Sequence, residues 1–391
     1  MAATPDFDTY PPGPALTTAH NAERWVEVGW GDGRSARFHH VWLRDNCACP
    51  ECVNEITKEQ MFELVSSPAE NPAADVTVSA EGDLDVVWST DGHRSSYDAA
   101  WLRAHSYDGN REPTDDVMLW DASTPDVPPT FDGPAVLADD NALLEWLTAL
   151  RAYGLTRLRD VPVDLDAVGR VAARVGIVRE TNFGLLWDVR SEPDPITNAN
   201  TPLSLPPHVD LATREYQPGL QFLHCIENSA PGGQGTYLDG FRVAEIMRAE
   251  HREHFEVLTT VPWRWANRSK VSDYRWASTP IVVDRHGAIT EMRVGNWLRA
   301  PLDAGFDRVE AAYAAYRALF DVTLRDDLTV RISWTPGDLL AFDNRRILHG
   351  RDAYSVGTGQ RFLRGCYGER EELHSRIRIL ERMRRQSPAR R

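Results

Sequence analysis

Little in this chain points to a membrane, a secretory route or a nucleic acid. No apolar run approaches the ~20 residues that a membrane-spanning helix needs. The opening stretch MAATPDFDTYPPGPALTTAHNAE lacks the basic start and apolar core of a signal peptide, and residues 1–19 read as a disordered leader. Positive charge is short: the formal net charge is -15, so neither a nucleic acid nor an anionic membrane is expected as a partner, whereas a cationic substrate is compatible. The basic end RMRRQSPARR reads as a solvated tail. Cysteine is scarce as well. Three of the five cysteines fall within six residues, which is not the pattern of a secreted disulfide framework. These absences together predict a cytoplasmic protein. What is present is ordinary for a globular chain, with 391 residues, 42% of them hydrophobic and 26% charged, enough for two domains.

Residues 20–108 read as short strands. RWVEVGWGDGRSARFHH offers two alternating runs around a Gly-Asp-Gly turn, and DVTVSAEGDLDVVW repeats the pattern around Glu81, Gly82 and Asp83. Residues 109–134 are dense in proline and predict a linker. Residues 135–391 form the second domain. It opens on two helical patterns, DNALLEWLTALRAYG with Gly154 at the C-terminal cap and DLDAVGRVAARVG ending at Gly176. From about 195 onward strands dominate: GLQFLHCI, TPIVVD, LTVRISW, DLLAFDN and RFLRGCY. EREELHSRIRILERMRR predicts a closing helix. Many short strands with flanking helices point to a β-sandwich or jelly roll. His224 and Cys225 fall in an apolar strand and are expected in the core, while Asp239–Gly240 reads as a capped turn and His251 and His254 as a solvated face.

The stretch LPPHVDL places His208 and Asp210 two residues apart, a spacing that turns both side chains to one face if the backbone is extended. A third metal ligand is available in His349, which follows the apolar run DLLAF. Two imidazoles and one carboxylate with open positions form the facial triad of non-haem Fe(II) oxygenases. Twelve residues further on, Arg361 offers a guanidinium fork suited to a dicarboxylate, with Arg364 expected on the opposite face of the same strand. In the first domain, WLRDNCACPECV brings Cys47, Cys49 and Cys52 into a C-x-C-x2-C knuckle. Zinc takes four ligands, and a nearby histidine should complete a closed, structural site. His93 on a later hairpin is one candidate, with His39 and His40 as rivals.

These motifs resemble the taurine dioxygenase superfamily of Fe(II)/2-oxoglutarate oxygenases. Over residues 20–385 the chain resembles, more narrowly, its γ-butyrobetaine hydroxylase and trimethyllysine hydroxylase family. The resemblance implies a mainly β fold with flanking helices: a double-stranded β-helix (jelly roll) catalytic domain, preceded by a small zinc-binding β-rich domain. It matches His208, Asp210 and His349 to the iron ligands, Arg361 to the 2-oxoglutarate arginine, and Cys47, Cys49, Cys52 and His93 to the zinc ligands. It implies Fe(II), Zn(II) and 2-oxoglutarate, with ascorbate supportive, and a homodimer. The implied reaction is hydroxylation of an unactivated C–H bond of a small amine-bearing or quaternary-ammonium zwitterion, releasing succinate and CO2.

Substrate residues match only in part. Trp187 and Tyr367 fall on positions of an aromatic cage for a trimethylammonium head, and Phe183 stands where the family usually has Tyr. Asn200 and Leu211 replace aromatics, so γ-butyrobetaine itself is expected to be a poor substrate unless Trp297 supplies a missing wall. Asn198 and Asn296 are candidates for the anionic end. Gly235 departs from the Ser or Thr that often bonds the cosubstrate, and Thr236 should face away. The competing readings are a family oxygenase acting on an amino acid or aminophosphonate, a zinc-stabilised binding protein without activity, and a metal-dependent hydrolase.

Overall fold

The computed structural model describes residues 2–66, 68, 70–108, 117–191, 200–268, 272–355 and 359–386. The chain divides into one compact unit over Met1–Asp115 and a second over Asp116–Arg384. Among the described residues, no helix is long and apolar enough to cross a membrane.

The first unit holds two antiparallel three-stranded sheets, β1 (Leu16–Asn21), β2 (Trp25–Trp30) and β3 (Ser35–His39), then β4 (Ala73–Val78), β5 (Leu84–Trp88) and β6 (Arg94–Tyr97). Short helices α1 (His40–Asp45) and α2 (Ala99–Ala104) follow the two sheets in turn. Alternation along β2 sends Val26, Val28 and Trp30 into a core shared with Phe38, Trp88 and Trp101. The expected leader is a correction. The Ala2 backbone N–H donates to Asp83 (2.7 Å), and Asp6 accepts from Tyr10 (2.7 Å) and from the Trp101 indole (3.2 Å). A carboxylate placed opposite a buried indole gives this stretch specific partners that its composition does not reveal.

The second unit contains β7 (Thr130–Asp132), α3 (Gly133–Ala138), α4 (Asp140–Tyr153), β8 (Leu155–Arg159), α5 (Ala167–Val175), β9 (Trp187–Arg190), β10 (Leu205–His208), β11 (Leu220–Asn228) and β12 (Gly235–Asp239). It continues with α6 (Gly240–Glu250), α7 (Arg252–Thr260), β13 (Trp263–Arg268), β14 (Asp273–Ser278), β15 (Ile281–Val283), β16 (Ile289–Met292) and α8 (Val309–Thr323). It closes with β17 (Val330–Ile332), β18 (Leu339–Asp343), β19 (Ile347–Arg351), β20 (Arg361–Gly368) and α9 (Arg370–Gln386). One sheet has the order β7-β8-β18-β11-β20-β9, the other β10-β19-β12-β17. Leu223, Cys225, Leu340, Phe342 and Leu363 of the first sheet share a core with Tyr237, Ile332 and Ile347 of the second. This is the jelly roll.

Both sheets are covered outside as well. Leu220 and Phe222 turn to α3, α4, α5 and α9, whereas Leu238 and Leu348 turn to α6, α7 and α8. Strand β11 is therefore buried on both faces, which is why GLQFLHCI reads as a continuous apolar run. His224 and Cys225 are fully buried within it. Helix α4 starts on Asp139, whose carboxylate accepts from the Asn141 and Ala142 N–H groups, and stops at Gly154 in the left-handed region (φ 69°). Of the helical layer over 240–260 and 309–323, only the helical spacing around His251 and His254 was read in the sequence. The expected linker also needs correction. Residues 109–116 lie outside the described residues, but Trp120 is buried, with its indole donating to the Tyr153 carbonyl (2.8 Å) and its backbone N–H to Asp239 (3.2 Å). Residues 387–391 of the basic tail also lie outside the described residues.

Asp239 does more than cap α6. Its carboxylate accepts a fork from Arg346, Nε at 3.0 Å and Nη2 at 2.8 Å, and both residues are 1% exposed. The same guanidinium donates to the Ala152 and Met118 carbonyls. It thus ties the turn before β19 to the end of β12 and the end of α4. Removing one partner of a buried pair leaves the other charge uncompensated, at a cost of about 3–5 kcal/mol. Arg346→Met is expected to lose that much unfolding free energy in urea titration, and a loss below about 1 kcal/mol would contradict this role.

Candidate active site

His208 ends β10 and His349 lies in β19, and the two are direct cross-strand partners. Side chains paired in this way lie on one face, and the two imidazole rings are 4.2 Å apart. The His208 Nδ1 lies 3.0 Å from the Pro206 carbonyl. A carbonyl only accepts, so Nδ1 carries the proton and Nε2 presents its lone pair to the site. Asp210 Oδ1 lies 3.3 Å from His208 Nε2 and 3.6 Å from His349 Nε2.

Asp210 is not placed by strand alternation. The strand stops at His208, and the next residues form a turn in which Leu211 adopts a left-handed backbone (φ 55°). That conformation costs a non-glycine residue roughly 1–2 kcal/mol and persists only if its surroundings fix it. Asn344, fully buried after β18, does so. Its Oδ1 accepts from the Asp210 N–H (2.8 Å), and its Nδ2 donates to the Asp210 (3.0 Å) and Pro218 (3.2 Å) carbonyls. Arg293 holds the following turn through the Ala212, Arg214 and Glu215 carbonyls. The Tyr367 hydroxyl donates to Asp210 Oδ2 (2.8 Å). Tyr367 was expected only as a cage wall, so its bond to the carboxylate is an added role.

The electrostatics suit a divalent cation. Burial alone would raise the Asp210 carboxyl, but His349, His208 and the Tyr367 hydroxyl together hold it well below the usual carboxylate range. Burial, then His208, pushes His349 down to about 3, which leaves the neutral imidazole that a metal requires. Burial and the Asp210 carboxylate keep the Tyr367 hydroxyl protonated and able to donate. The three ligand atoms lie within 4.8 Å of one another. The donor set of two imidazoles and one carboxylate fits Fe(II) with open positions.

Two cavities meet at these ligands. One, of ≈ 140 Å³, is lined by Phe183, Trp187, Asn200, Leu211, Trp297 and Tyr367, with Asn267 and Asp188 as further walls. Trp187 and Tyr367 are 5.0 Å apart at 34°, and the Trp297 ring lies 4.6 Å from His208. The other, of ≈ 80 Å³, lies beside His349 and contains Arg361. His208, Asp210 and Trp187 line both. Arg361 is 6% exposed, and its Nε and Nη1 are buried without a hydrogen-bond partner. Arg364 faces the other way and is committed to Asp188, as strand alternation requires.

The remaining expectations fall unevenly. Asn296 does not line the cavity. It is exposed at the start of a short helical turn, and its Oδ1 accepts from Arg299 (2.6 Å), while the neighbouring Trp297, 36% exposed, lines the cavity. Asn198 lies outside the described residues. Asn200 is on the cavity wall and donates to the Arg190 carbonyl (3.1 Å). Asn344, Arg293 and Asn267 were missed. Their roles depend on backbone partners more than 75 residues away in the case of Asn344 and Arg293, and no local pattern encodes them.

In the first unit, the His93 Nε2 lies 3.4, 3.5 and 3.6 Å from the Sγ atoms of Cys47, Cys49 and Cys52. Two ligands at zinc bond lengths and a tetrahedral angle sit about 3.6 Å apart, so this Cys3His cluster fits a zinc ion. His39 bonds Tyr107 and His40 bonds Asn21, which removes both rivals. Arg44 donates to Cys52 Sγ (3.2 Å), and Glu51 lies 3.5 Å from the His93 Nδ1, so charged groups surround the ligands.

Residues 115–367 match the family described as taurine catabolism dioxygenase TauD, TfdA, and residues 17–103 match the γ-butyrobetaine hydroxylase-like N-terminal domain. The chain belongs to the TauD, TfdA family. A γ-butyrobetaine dioxygenase of Pseudomonas sp. (strain AK-1) is 42% identical over 97% of this chain and 100% of its own length. A trimethyllysine dioxygenase of Meyerozyma guilliermondii is 29% identical over 91% of this chain and 93% of its own. Among solved structures, an asparagine oxygenase in complex with Fe(II), hydroxyasparagine and succinate superposes with a TM-score of 0.48 at 20% identity, over 61% of this chain and 83% of its own. This TauD-family chain is a non-haem Fe(II)- and 2-oxoglutarate-dependent dioxygenase.

His208→Ala, Asp210→Ala or His349→Ala should each abolish Fe(II) binding and 2-oxoglutarate turnover with the zinc retained, whereas Cys49→Ser should release zinc and lower the melting temperature. Elemental analysis and thermal unfolding check both, and full turnover in any of the three would refute the triad. Arg361→Ala should raise the 2-oxoglutarate KM by at least about tenfold, since loss of a buried charged contact costs about 2–5 kcal/mol. Arg364→Ala should change it far less, and equal effects would contradict the strand facing.

Proposed function

We propose that the enzyme hydroxylates a C–H bond of a small zwitterion carrying a quaternary ammonium group, with γ-butyrobetaine as the leading candidate. The observation that carries this is the set of aromatic side chains, Phe183, Trp187, Trp297 and Tyr367, lining the cavity that reaches His208 and Asp210. An ammonium group over an aromatic face gains about 0.5–2 kcal/mol per ring. Trp297 offsets the faces lost at Leu211 and Asn200, so the sequence-based case against γ-butyrobetaine weakens. The 42% identity to a γ-butyrobetaine dioxygenase supports the same reading. The Asn267 amide at the cavity wall offers a polar group for the carboxylate end.

His208, Asp210 and His349 would hold Fe(II), and the second cavity would take 2-oxoglutarate with its distal carboxylate on Arg361. Bound Fe(II) supplies the coupling of 2-oxoglutarate decarboxylation, to succinate and CO2, with insertion of one oxygen atom of O2 into the substrate. The chain's own part is positioning. The Tyr367 hydroxyl holds the Asp210 carboxylate in one orientation. Trp187 packs over Gly365, where an added Cβ would lie 2.5 Å from its ring, and forms a wall between the two cavities. Leu205, Leu211 and Leu298 limit water around the substrate carbon. Ascorbate is expected to support activity in the assay. The clustered thiols suit a reducing compartment, and we place the enzyme in the cytoplasm, as a homodimer by analogy with the resemblance.

The test compares γ-butyrobetaine and trimethyllysine with their unmethylated counterparts. Wild-type enzyme should favour the quaternary compounds. Trp187→Ala should raise their KM by roughly threefold to thirtyfold, with less effect on 2-oxoglutarate consumed without product. An unmethylated amine turned over as efficiently as its trimethylated form would reject the aromatic-cage reading.

A further inference from the structure

The smaller cavity offers more donors than Arg361. Tyr237 of β12 is the cross-strand partner of His349, as His208 is on the other side of β19, so the three side chains form a row on one face. Trp334 lines the same cavity, and its Nε1 is buried without a hydrogen-bond partner, like Nε and Nη1 of Arg361. Gly235, two residues before Tyr237 on the same face, shows how closely these groups converge. A Cβ built there would lie 2.7 Å from Tyr237 Cε2, 2.9 Å from its hydroxyl oxygen and 3.2 Å from Trp334 Nε1. The phenol and the indole N–H thus meet where a side chain at 235 would stand, and only glycine leaves the room. Burial keeps the Tyr237 hydroxyl protonated, so it can donate.

We propose that the Tyr237 hydroxyl and the Trp334 indole N–H join Arg361 in binding the distal carboxylate of 2-oxoglutarate, and that Gly235 is required because the Tyr237 ring occupies the space of its side chain. The proposal rests on the reading of Arg361 as the cosubstrate anchor. One anion would satisfy buried donors that are otherwise costly to leave unpaired. Tyr237 and Trp334 then set which 2-oxo acids the enzyme accepts.

The experiment measures 2-oxoglutarate binding by calorimetry on the full-length protein loaded with Fe(II) and zinc, without O2. Tyr237→Phe should weaken binding about 10- to 100-fold, the loss expected for one hydrogen bond to a charged group, with an unchanged melting temperature. It should leave unchanged the binding of 2-oxopentanoate, which keeps the keto acid and lacks the distal carboxylate. Gly235→Ser should weaken 2-oxoglutarate binding by displacing the ring, and Gly235→Ser with Tyr237→Ala should recover part of it. If Tyr237→Phe binds 2-oxoglutarate within about twofold of wild type while Arg361→Ala does not, the Tyr237 role is overturned and the Arg361 reading stands. If Arg361→Ala also binds normally, both fall. An equal loss for 2-oxopentanoate in Tyr237→Phe would show a merely structural role and overturn the proposal too.

Discussion

The site depends on one buried amide. Asn344 has every hydrogen-bonding group satisfied: its side chain holds the Asp210 N–H and the Asp210 and Pro218 carbonyls, its own N–H donates to Gly219 (3.0 Å), and its carbonyl accepts from Gln217 (3.0 Å). Only one orientation of the side-chain amide meets those partners. The turn that carries Asp210 is thereby fixed to the connection between β18 and β19, and β19 carries His349. Two ligands far apart in sequence become one rigid unit, and the strained backbone at Leu211 is sustained because the residue before it is held at both its N–H and its carbonyl. His208 joins the unit through strand pairing with His349, and the N–H of the following Val209 donates to the Val294 carbonyl (2.8 Å).

The jelly roll sets the rest of the geometry. Its two sheets share a core along most of their length, and where that core gives way to polar groups the cavities open on either side of Asp210. Parity along β12 and β20 decides which side chains enter. Tyr237 and Arg361 point inward, while Arg364 is spent on Asp188. The outer helices cover the central strands, and strands β10, β19 and β20 carry His208, His349 and Arg361, while the turn after β10 carries Asp210. The Cys3His cluster in the first unit shares no ligand with the candidate iron site, and a zinc ion held there would stabilise its own unit.

How much of this was legible follows from what each residue needs. His208, Asp210, His349 and Arg361 stood out as candidates because the residue types are chemically constrained, and strand parity set Arg361 apart from Arg364. The zinc cysteines stood out by their spacing, whereas His93 was preferred to His39 and His40 only through the family resemblance, and each rival has a partner of its own. The placement of Asp210 was read for the wrong reason, since a turn clamped by Asn344 stands in for the expected strand. Asn296 was expected at the anionic end of the substrate, but it bonds Arg299 and its neighbour Trp297 lines the cavity, in a short helical turn that no local pattern announces. The helices over 240–260 and 309–323 pack on the outer face of a sheet that the sequence does not display, and they were not read as a layer although Ala312, Ala315, Tyr316, Leu319 and Val322 recur at helical spacing.

Anomalous diffraction from crystals grown without O2, with Fe(II) and 2-oxoglutarate present, tests the central claim most directly. The account predicts an iron peak within bonding distance of His208 Nε2, Asp210 Oδ1 and His349 Nε2, 2-oxoglutarate reaching from it to Arg361, and a separate zinc peak among Cys47, Cys49, Cys52 and His93. Iron bound elsewhere, or 2-oxoglutarate lying away from Arg361, would contradict it.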